Sequence, residues 1–425
     1  MSHPGSIVKF TFLRRRMRMK QRVVVSSLRT IVMLLVAFLL LISSGALAAE
    51  KKEIVVGTSL TLTGVQAAQG AEMKWSYEQA VADINKAGGI FVKEYNKKLP
   101  VRLVILDDES DPGKAAAAAE KLIKAENVDF LLATSSTPLV MAVATTAEKY
   151  KKYLHGTACI IPAWQGQKFK WSTLFFFDMM TFSDIPFSIM SSFPAGNKVE
   201  RPALLMDDSP DGRNMRPLFK ASAGKAGFKL AADEEWAVNA KDYSSLILKL
   251  KENKVDAIVT VGTTTDIITL VRQMKENKFG VKYFHGYKGT GQVEFAKSLG
   301  KDSQYVVTDG QWSENFPYPK AQELGKRFYD TFQKQSTTAG LWYATAQILW
   351  QAIEQAGTLD SAKVREAVVN HEFKGTTMGD VKYGPEGAAT YNQTANQWID
   401  GQLKLIYPSV KGSAKVQPAP AWDKR

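Results

Sequence analysis

Polar side chains follow several apolar runs of this chain, and their types suit the binding of a carboxylate. Thr134, Ser135, Ser136 and Thr137 come directly after the apolar residues 130–133 and directly before a segment with helical spacing. Hydroxyls and free backbone N–H groups at a helix N-terminus bind carboxylates well. Serine and threonine at such a position also serve simply as helix caps. The pattern therefore predicts either a ligand contact or a cap.

Two further loops have the same arrangement. Thr263 and Thr264 end the apolar run 256–262, and the run at 203–206 ends in a turn that contains Asp211. Residues 283–291 read Tyr-Phe-His-Gly-Tyr-Lys-Gly-Thr-Gly. This stretch contains G-x-G, but it lacks the third glycine and the later acidic partner of a dinucleotide-binding fingerprint. We therefore expect no nucleotide cofactor there.

Covalent and metal chemistry have little support. The single cysteine, Cys159, lies four residues after His155, but on a strand-to-loop run such a pair need not face each other. Cysteine is also among the residues most often buried for packing. The acidic run at 107–109 is read as a solvated turn before a helix, where carboxylates suit the helix dipole. The four histidines show no zinc spacing, so no catalytic residue, cofactor or metal is predicted.

The elements that must position these loops alternate between strands and helices. An apolar strand at 54–57 breaks into Ser, Thr and Gly, and a helix follows with Met73, Tyr77 and Ile84 at helical spacing. Gly88 and Gly89 end that helix, because glycine enters the left-handed cap conformation cheaply. The alternation continues along the chain and predicts parallel sheets wrapped by helices. Loops at the carboxyl ends of such strands face ligands.

The N-terminus has the pattern of a secretory signal peptide. Residues 1–48 combine a basic region, an apolar run at 31–42 and the small-residue site Ala46-Leu47-Ala48. An uncleaved anchor helix is the alternative, but the run is shorter than the roughly 20 residues that span a bilayer. Eight of the basic residues behind the formal charge of +13 lie in this leader, so we see no nucleic-acid footprint. No cysteine follows the cleavage site, and a freely diffusing, periplasmic protein rather than a lipoprotein is expected.

The motifs resemble a known family. Leu-Thr-Leu-Thr-Gly at 60–64 and Ala-Val-Ala-Asp-Ile-Asn-Lys-Ala-Gly-Gly-Ile at 80–90 are similar to the opening of the branched-chain amino-acid-binding proteins, the periplasmic solute receptors of ABC transporters. The segments at 101–123, 242–262 and 339–401 fit the same family. The resemblance implies two Rossmann-like doubly wound lobes joined by three crossover segments, with one small solute held between them.

The resemblance also implies a set of contacts to the ligand. These are Gln69, Ser135, Ser136, Thr157, Ala158, Cys159, Asp211, Thr263, Thr264, Tyr287 and Lys288. Four of these positions depart from the family. Cys159 replaces a small residue or Thr, Asp211 replaces a Tyr, and Gln69 stands where an aromatic often covers the ligand. Lys288 takes the place of a Glu that pairs with the ligand's ammonium.

Lys288 makes the ligand's charge the main open question. A ligand ammonium beside it would be repelled by several kcal/mol in a dry pocket. Asp211 could offset this by holding Lys288 or by taking the ammonium itself. On this basis leucine, isoleucine and valine are expected to be poor ligands, and a small carboxylate, an amide or a differently placed amine to be better ones. A register slip that leaves Lys288 in solvent is the alternative.

The expected organisation follows from the resemblance. Residues 49–176 and 308–382 form the first lobe, 177–307 and 383–408 the second, and 409–425 a mobile tail. The protein is expected to be a monomeric, non-enzymatic receptor that delivers its solute to the membrane permease of an ABC importer. The rival functions are a ligand-sensing regulator on the same fold and an exported α/β hydrolase. The hydrolase would need a G-x-S-x-G elbow or a paired nucleophile and base, and the sequence contains neither.

Overall fold

The computed structural model describes residues 51–64 and 66–425. The predicted signal peptide, with its cleavage site at Ala48, lies outside the described residues. In the part of the chain that is described, no helix combines the length and apolar character needed to cross a membrane.

The described elements alternate as predicted. The strands are β1 (Ile54–Leu60), β2 (Ile90–Val92), β3 (Lys97–Leu99), β4 (Val101–Asp107), β5 (Phe130–Leu132), β6 (Leu154–Thr157), β7 (Ser172–Phe177), β8 (Pro202–Asp207), β9 (Ala232–Trp236), β10 (Ala257–Gly262), β11 (Tyr283–Lys288), β12 (Val306–Gly310), β13 (Glu372–Thr376), β14 (Gly379–Lys382), β15 (Ala388–Tyr391), β16 (Thr394–Ile399) and β17 (Gln402–Tyr407). The helices are α1 (Ala67–Lys86), α2 (Pro112–Lys124), α3 (Thr137–Tyr150), α4 (Ile161–Gln165), α5 (Met179–Ser191), α6 (Pro210–Lys225), α7 (Ser244–Glu252), α8 (Thr264–Glu276), α9 (Val293–Leu299), α10 (Ala321–Phe332), α11 (Ala339–Ala356) and α12 (Ser361–Asn370).

Two large sheets define two lobes. The first has the order β15-β7-β6-β5-β1-β4, and all of its pairs are parallel. The second has the order β17-β16-β12-β11-β10-β8-β9, and β16 alone in this sheet runs antiparallel to its two neighbours β12 and β17. The central strands β1, β8 and β10 are buried along their whole length. A strand covered on both faces is typical of a parallel sheet with helices on each side, and the predicted fold class is confirmed.

The chain crosses between the two sheets three times. It leaves β7 for α5, which packs on α6 of the second lobe through a 2.8 Å hydrogen bond between the Ser183 and Ser222 hydroxyls. It leaves β12 for Trp312, whose indole N–H donates to the Thr377 carbonyl oxygen of the first lobe at 3.0 Å. It returns from β15 to β16 through residues 392–393. We call these three connections the hinge.

The hinge brings the carboxyl ends of the strands of the two sheets together. β15 runs parallel to β7, so their carboxyl ends lie together. Two residues later β16 begins opposite the end of β12, with Thr394 in register with Gly310. The carboxyl edge of the first sheet therefore meets the carboxyl edge of the second. This is the edge at which open α/β sheets bind ligands.

The lobe boundaries differ from those predicted. β15 lies in the first sheet, where Ala388 pairs with Leu174, although residues 383–408 were assigned to the second lobe. β12 lies wholly in the second sheet, so that crossing follows residue 310 rather than residue 307. Strand pairing decides these boundaries, and a four-residue strand carries no mark in its sequence of which sheet it joins.

The tail is packed rather than mobile in this structure. The Gln417 backbone exchanges two hydrogen bonds with the Gln397 side chain, each 2.8 Å long. The Ala419 N–H donates to the Lys282 carbonyl oxygen at 2.8 Å. The Trp422 indole N–H donates to the Phe279 carbonyl oxygen, and the Arg425 guanidinium stacks on its ring. Residues 409–425 therefore run along the second lobe as part of it.

One short motif occurs in both sheets. Tyr153, just before β6, shares a hydrogen bond of 3.1 Å with His155 Nδ1 in β6. Tyr283 shares one of 2.8 Å with His285 Nδ1 in β11. Both imidazoles are fully buried, and burial lowers the pKa of each to about 3. Each histidine is thus held neutral inside its lobe.

These buried histidines predict acid sensitivity. An unfolded histidine titrates near 6.5, so as pH falls from there towards 3 the unfolded chain takes up protons that the folded chain refuses. The contribution of each neutral, buried histidine to the free energy of unfolding is fully present above pH 6.5 and is lost progressively as the pH falls below that value. We expect the free energy of unfolding of His285→Gln to fall by roughly 3 kcal/mol less than that of wild type between about pH 7 and about pH 4. Urea unfolding across that range is the measurement.

The exposed His371 offers the matched control. His371→Gln makes the same change of side chain at an exposed position and shows what the substitution itself does to stability. If acid lowered the free energy of unfolding equally in wild type and His285→Gln, His285 would not be resisting protonation.

Candidate functional site

The hydroxyl loop of the first lobe is tied together by a glutamine. The Ser135 hydroxyl is buried, lies 2.9 Å from the Thr61 hydroxyl and donates to Gln66 Oε1 at 3.2 Å. Gln66 Nε2 in turn donates to Ser136 Oγ at 3.3 Å. Ser136 is partly exposed, and within the described chain its own hydroxyl proton meets no acceptor. Ser136, just before the N-terminus of α3, is therefore the hydroxyl of this loop that is free to bind an anion.

The glutamine in this network is not the one expected from the sequence. Gln69 was predicted to cover the ligand, and it lies in the first turn of α1, partly exposed. Gln66, just before the helix, is the residue that reaches both serines. The sequence places the two within one helical turn, and only the course of the loop decides which side chain points to residues 135 and 136.

Strained backbone marks three of the predicted site loops. Ser136 has φ 86° and ψ 150°, a region that is essentially restricted to glycine. Ala158 and Lys288 also have positive φ, at 58° and 72°. Such conformations cost roughly 1–3 kcal/mol each and persist where function requires them. The strain at Ser136 coincides with the predicted hydroxyl loop, whereas Ala158 and Lys288 share their positive φ with many residues outside the candidate site.

The segment after β6 contributes less than its predicted side chains suggest. The Thr157 hydroxyl is buried and donates to the Phe175 carbonyl oxygen at 2.6 Å, so it is committed to the sheet. Cys159 is fully buried, and burial raises the pKa of its thiol to about 12. That shift disfavours the nucleophilic thiolate. Ala158 can offer only its backbone to a ligand.

The acidic turn after β4 holds the first lobe's loops. Asp107 Oδ1 accepts the Leu62 N–H at 3.0 Å and the Glu109 N–H at 2.8 Å. Asp108 is buried and accepts the Thr134 hydroxyl at 2.7 Å. These carboxylates organise the loops after β1 and β5. The turn is present as predicted, but Asp108 is buried rather than solvated, and Asp111 is the carboxylate that caps α2.

The second lobe presents an ion pair at its carboxyl edge. Lys288 Nζ lies 2.6 Å from Asp211 Oδ2, and both side chains are about two-fifths exposed, at 40% and 43%. Lys288 ends β11, and Asp211 lies in the first turn of α6. The sequence left open whether Asp211 would hold Lys288, and in this structure it does.

Of the remaining predicted residues of this lobe, two lie at a partly exposed helix N-terminus and one is buried in the core. Thr263 caps α8, and its hydroxyl donates to Asp266 Oδ2 at 2.7 Å. Thr264 is the partly exposed first residue of that helix. Tyr287 is 2% exposed, stacks on His285 and donates its hydroxyl to the Phe182 carbonyl oxygen. Its ring belongs to the core of the lobe, because alternate residues of a strand face opposite sides.

Asp309 is a site residue that sequence reasoning missed. It lies at the end of β12, is partly exposed, and its Oδ1 accepts the Lys288 backbone N–H at 3.2 Å. Burial raises the pKa of this carboxyl to about 6. The run at 306–310 reads Val-Val-Thr-Asp-Gly, a carboxylate directly after an apolar strand. That signal is present in the sequence, but the resemblance to the family predicts only a crossing between lobes there.

A separate cavity of about 1280 Å³ lies between α10 and the β16–β17 hairpin. None of the predicted site residues lines it. The strand ends, the strained backbone of Ser136 and the charged side chains lie instead where the carboxyl ends of the two sheets face each other. We place the candidate site there.

Comparisons with known proteins agree with this fold. Residues 53–402 match the family model described as "Periplasmic binding protein". The chain is 27% identical over 341 residues to the Leu/Ile/Val-binding protein homolog 2 of Brucella abortus (strain 2308), which covers 79% of this chain and 87% of the relative.

Two solved structures show the same fold. The branched-chain amino acid transporter substrate binding protein LivJ from Streptococcus pneumoniae, in complex with isoleucine, has a TM-score of 0.69 at 19% identity, covering 83% of this chain and 98% of that one. A solute binding protein of an ABC transporter from Rhodopseudomonas palustris BisB5, in complex with 3,4-dihydroxy benzoic acid, has a TM-score of 0.66 at 19% identity, covering 88% and 100%.

Proposed function

The chain belongs to the periplasmic binding protein family, and from this premise we propose that it captures a small carboxylate-bearing solute between its lobes for an ABC importer. The observation that carries the proposal is the meeting of the two carboxyl edges at the hinge, with Ser136 on one side and the Lys288–Asp211 pair on the other. The solute class includes amino acids and related carboxylates or amides.

The first lobe supplies the anchor for the carboxylate. Ser136 offers a free hydroxyl, and the N-terminus of α3 offers backbone N–H groups beside it. Gln66 and Ser135 hold that hydroxyl in place through their hydrogen bonds. A carboxylate bound here would lie across from the charged side chains of the second lobe.

Ligand binding should close the hinge. Contacts that exist only when both lobes touch the solute favour the closed state, and a ligand can shift the equilibrium only by that difference in affinity. We therefore expect a saturating ligand to bind with one-to-one stoichiometry and to reduce the radius of gyration. Small-angle scattering with and without ligand measures this, and an unchanged radius at saturation would contradict hinge closure.

The ligand can be found by a thermal-shift screen. A ligand that binds only the folded state raises the melting temperature by mass action. The relatives named above include proteins whose complexes contain isoleucine and an aromatic acid. The screen should therefore contain amino acids, amides, and aliphatic and aromatic acids. If every such probe is without effect, the proposed solute class is wrong.

Two rival functions remain testable beside this one. A ligand-sensing regulator on the same fold would bind solute without supporting its uptake. An exported hydrolase would consume the ligand, so a turnover assay with each thermal-shift hit separates it from a receptor. We further propose export through the N-terminal leader, action as a monomer, and delivery of the solute to permease subunits in the membrane.

A further inference from the structure

Asp309 occupies the point where the three hinge connections meet. It precedes Gly310, after which the chain leaves the second lobe. The Tyr391 hydroxyl, from the last residue of β15, donates to Gln311 Oε1 at 3.0 Å. Asp309 therefore lies at the hinge end of β12, two residues before Gln311.

The Asp309 carboxyl has one committed oxygen and one open oxygen. Oδ1 accepts the Lys288 N–H at 3.2 Å and lies 3.4 Å from the Thr308 hydroxyl. Oδ2 has no hydrogen-bond partner among the described residues, while the residue itself is partly exposed. Because the residue is partly exposed, this oxygen can exchange water for a donor group of a ligand.

The charges around Asp309 leave it uncompensated. Lys288 is the cation whose charge acts on it, but the ammonium of Lys288 lies against Asp211 at 2.6 Å. Lys288 and Asp211 together are neutral. The carboxylate of Asp309 therefore leaves a net negative charge on the second lobe's side of the site. That charge favours a ligand with a cationic or N–H-bearing group.

We propose that Asp309 is a specificity-determining residue that receives an amine or amide of the solute through Oδ2. The solute then carries a hydrogen-bond donor in addition to its carboxylate, with the carboxylate towards Ser136 and the donor towards the hinge. This inference rests on the proposed function and selects, within the solutes named there, those that bear nitrogen.

Asp309 could instead serve only to hold the strained Lys288 backbone. Asp309→Asn separates the two roles, because the amide keeps an oxygen to accept the Lys288 N–H but removes the negative charge. Asp309→Ala removes both. Asp400 is the matched control for the change from acid to amide. It lies in the turn after β16, at the far edge of the sheet, with φ 52°, a conformation that Asn also tolerates.

The experiment uses pairs of probes that differ in the nitrogen group. The pairs are leucine with isocaproate, γ-aminobutyrate with butyrate, and succinamate with butyrate. Calorimetry on the full mature chain measures each affinity. We expect the nitrogen-bearing member of at least one pair to bind wild type about tenfold or more tightly than its partner. Asp309→Asn should remove most of that preference, and Asp400→Asn should keep it.

The outcomes distinguish this inference from the proposed function. Binding of carboxylates with no preference for nitrogen, or a preference that survives in Asp309→Asn, would overturn the role of Asp309 and leave the receptor function standing. If none of the probes bound wild type, the proposed function itself would fail, and the inference with it. Loss of preference in Asp309→Ala but not in Asp309→Asn would assign Asp309 a purely structural role.

Discussion

Ser136→Ala is expected to weaken binding of the solute's carboxylate by roughly ten- to a hundredfold, because a hydrogen bond to a charged group contributes about 1.5–3 kcal/mol. Its hydroxyl proton is the free donor of the first lobe's loop, and Gln66 already orients the oxygen. Alanine keeps the same backbone restrictions as serine. The effect therefore comes from the hydroxyl alone.

Ser136→Gly should separate stability from binding. Glycine relieves the strain at φ 86° and ψ 150°, so we expect a gain of about 1 kcal/mol in the free energy of unfolding, reduced by the greater freedom of glycine in the unfolded chain. The same change removes the hydroxyl and weakens binding as alanine does. A more stable but weaker-binding variant is the diagnostic result.

Calorimetry and urea unfolding on both variants are the measurements. Ser298→Ala is the control, because Ser298 lies in the last turn of α9 and its hydroxyl bonds only to Glu294 Oε1, at 3.2 Å. Unchanged affinity in Ser136→Ala would remove this loop from the site.

Lys288→Glu is expected to reverse the charge preference of the second lobe. The change replaces a positive charge by a negative one beside Asp211 and Asp309. Like charges in a dry, partly enclosed site repel by several kcal/mol. We expect carboxylates without nitrogen to bind at least about tenfold more weakly. Amino acids such as leucine should gain relative to those carboxylates.

Asp211→Asn makes the second lobe's side of the site more positive, whereas Lys288→Glu makes it more negative. The wild-type ion pair offsets the repulsion between Lys288 and a ligand ammonium. The expectation that leucine, isoleucine and valine bind poorly therefore applies most strongly once Asp211 is neutral. Asp211→Asn should weaken amino acids and favour plain carboxylates.

The control for both variants is Lys229→Glu. Lys229 is exposed and lies just before β9, at the opposite edge of the second sheet. If leucine binds wild type tightly and Lys288→Glu does not change its affinity, Lys288 lies outside the pocket and the charge argument is wrong.

The sequence alone determined the fold class and the family. Apolar runs of strand length alternate with amphipathic segments along the whole chain, and each change is local enough to be read from a few residues. The same local reading found the hydroxyl loop at Ser135 and Ser136, because a strand end followed by a helix N-terminus is a local pattern. The resemblance to the family singled out Lys288, which ends β11 in the structure.

Only the tertiary structure decided which side chains meet. Gln66 reaches Ser136 across 70 positions of sequence, and Lys288 reaches Asp211 across 77. A shift of one residue turns a strand side chain to the other face, so Tyr287 enters the core while Lys288 reaches the edge. β15 joined the first lobe and the tail packed on the second because pairing energy, rather than local composition, assigns such segments. Asp309 became a site residue for the same reason, since its neighbours at the hinge come from three separate parts of the chain.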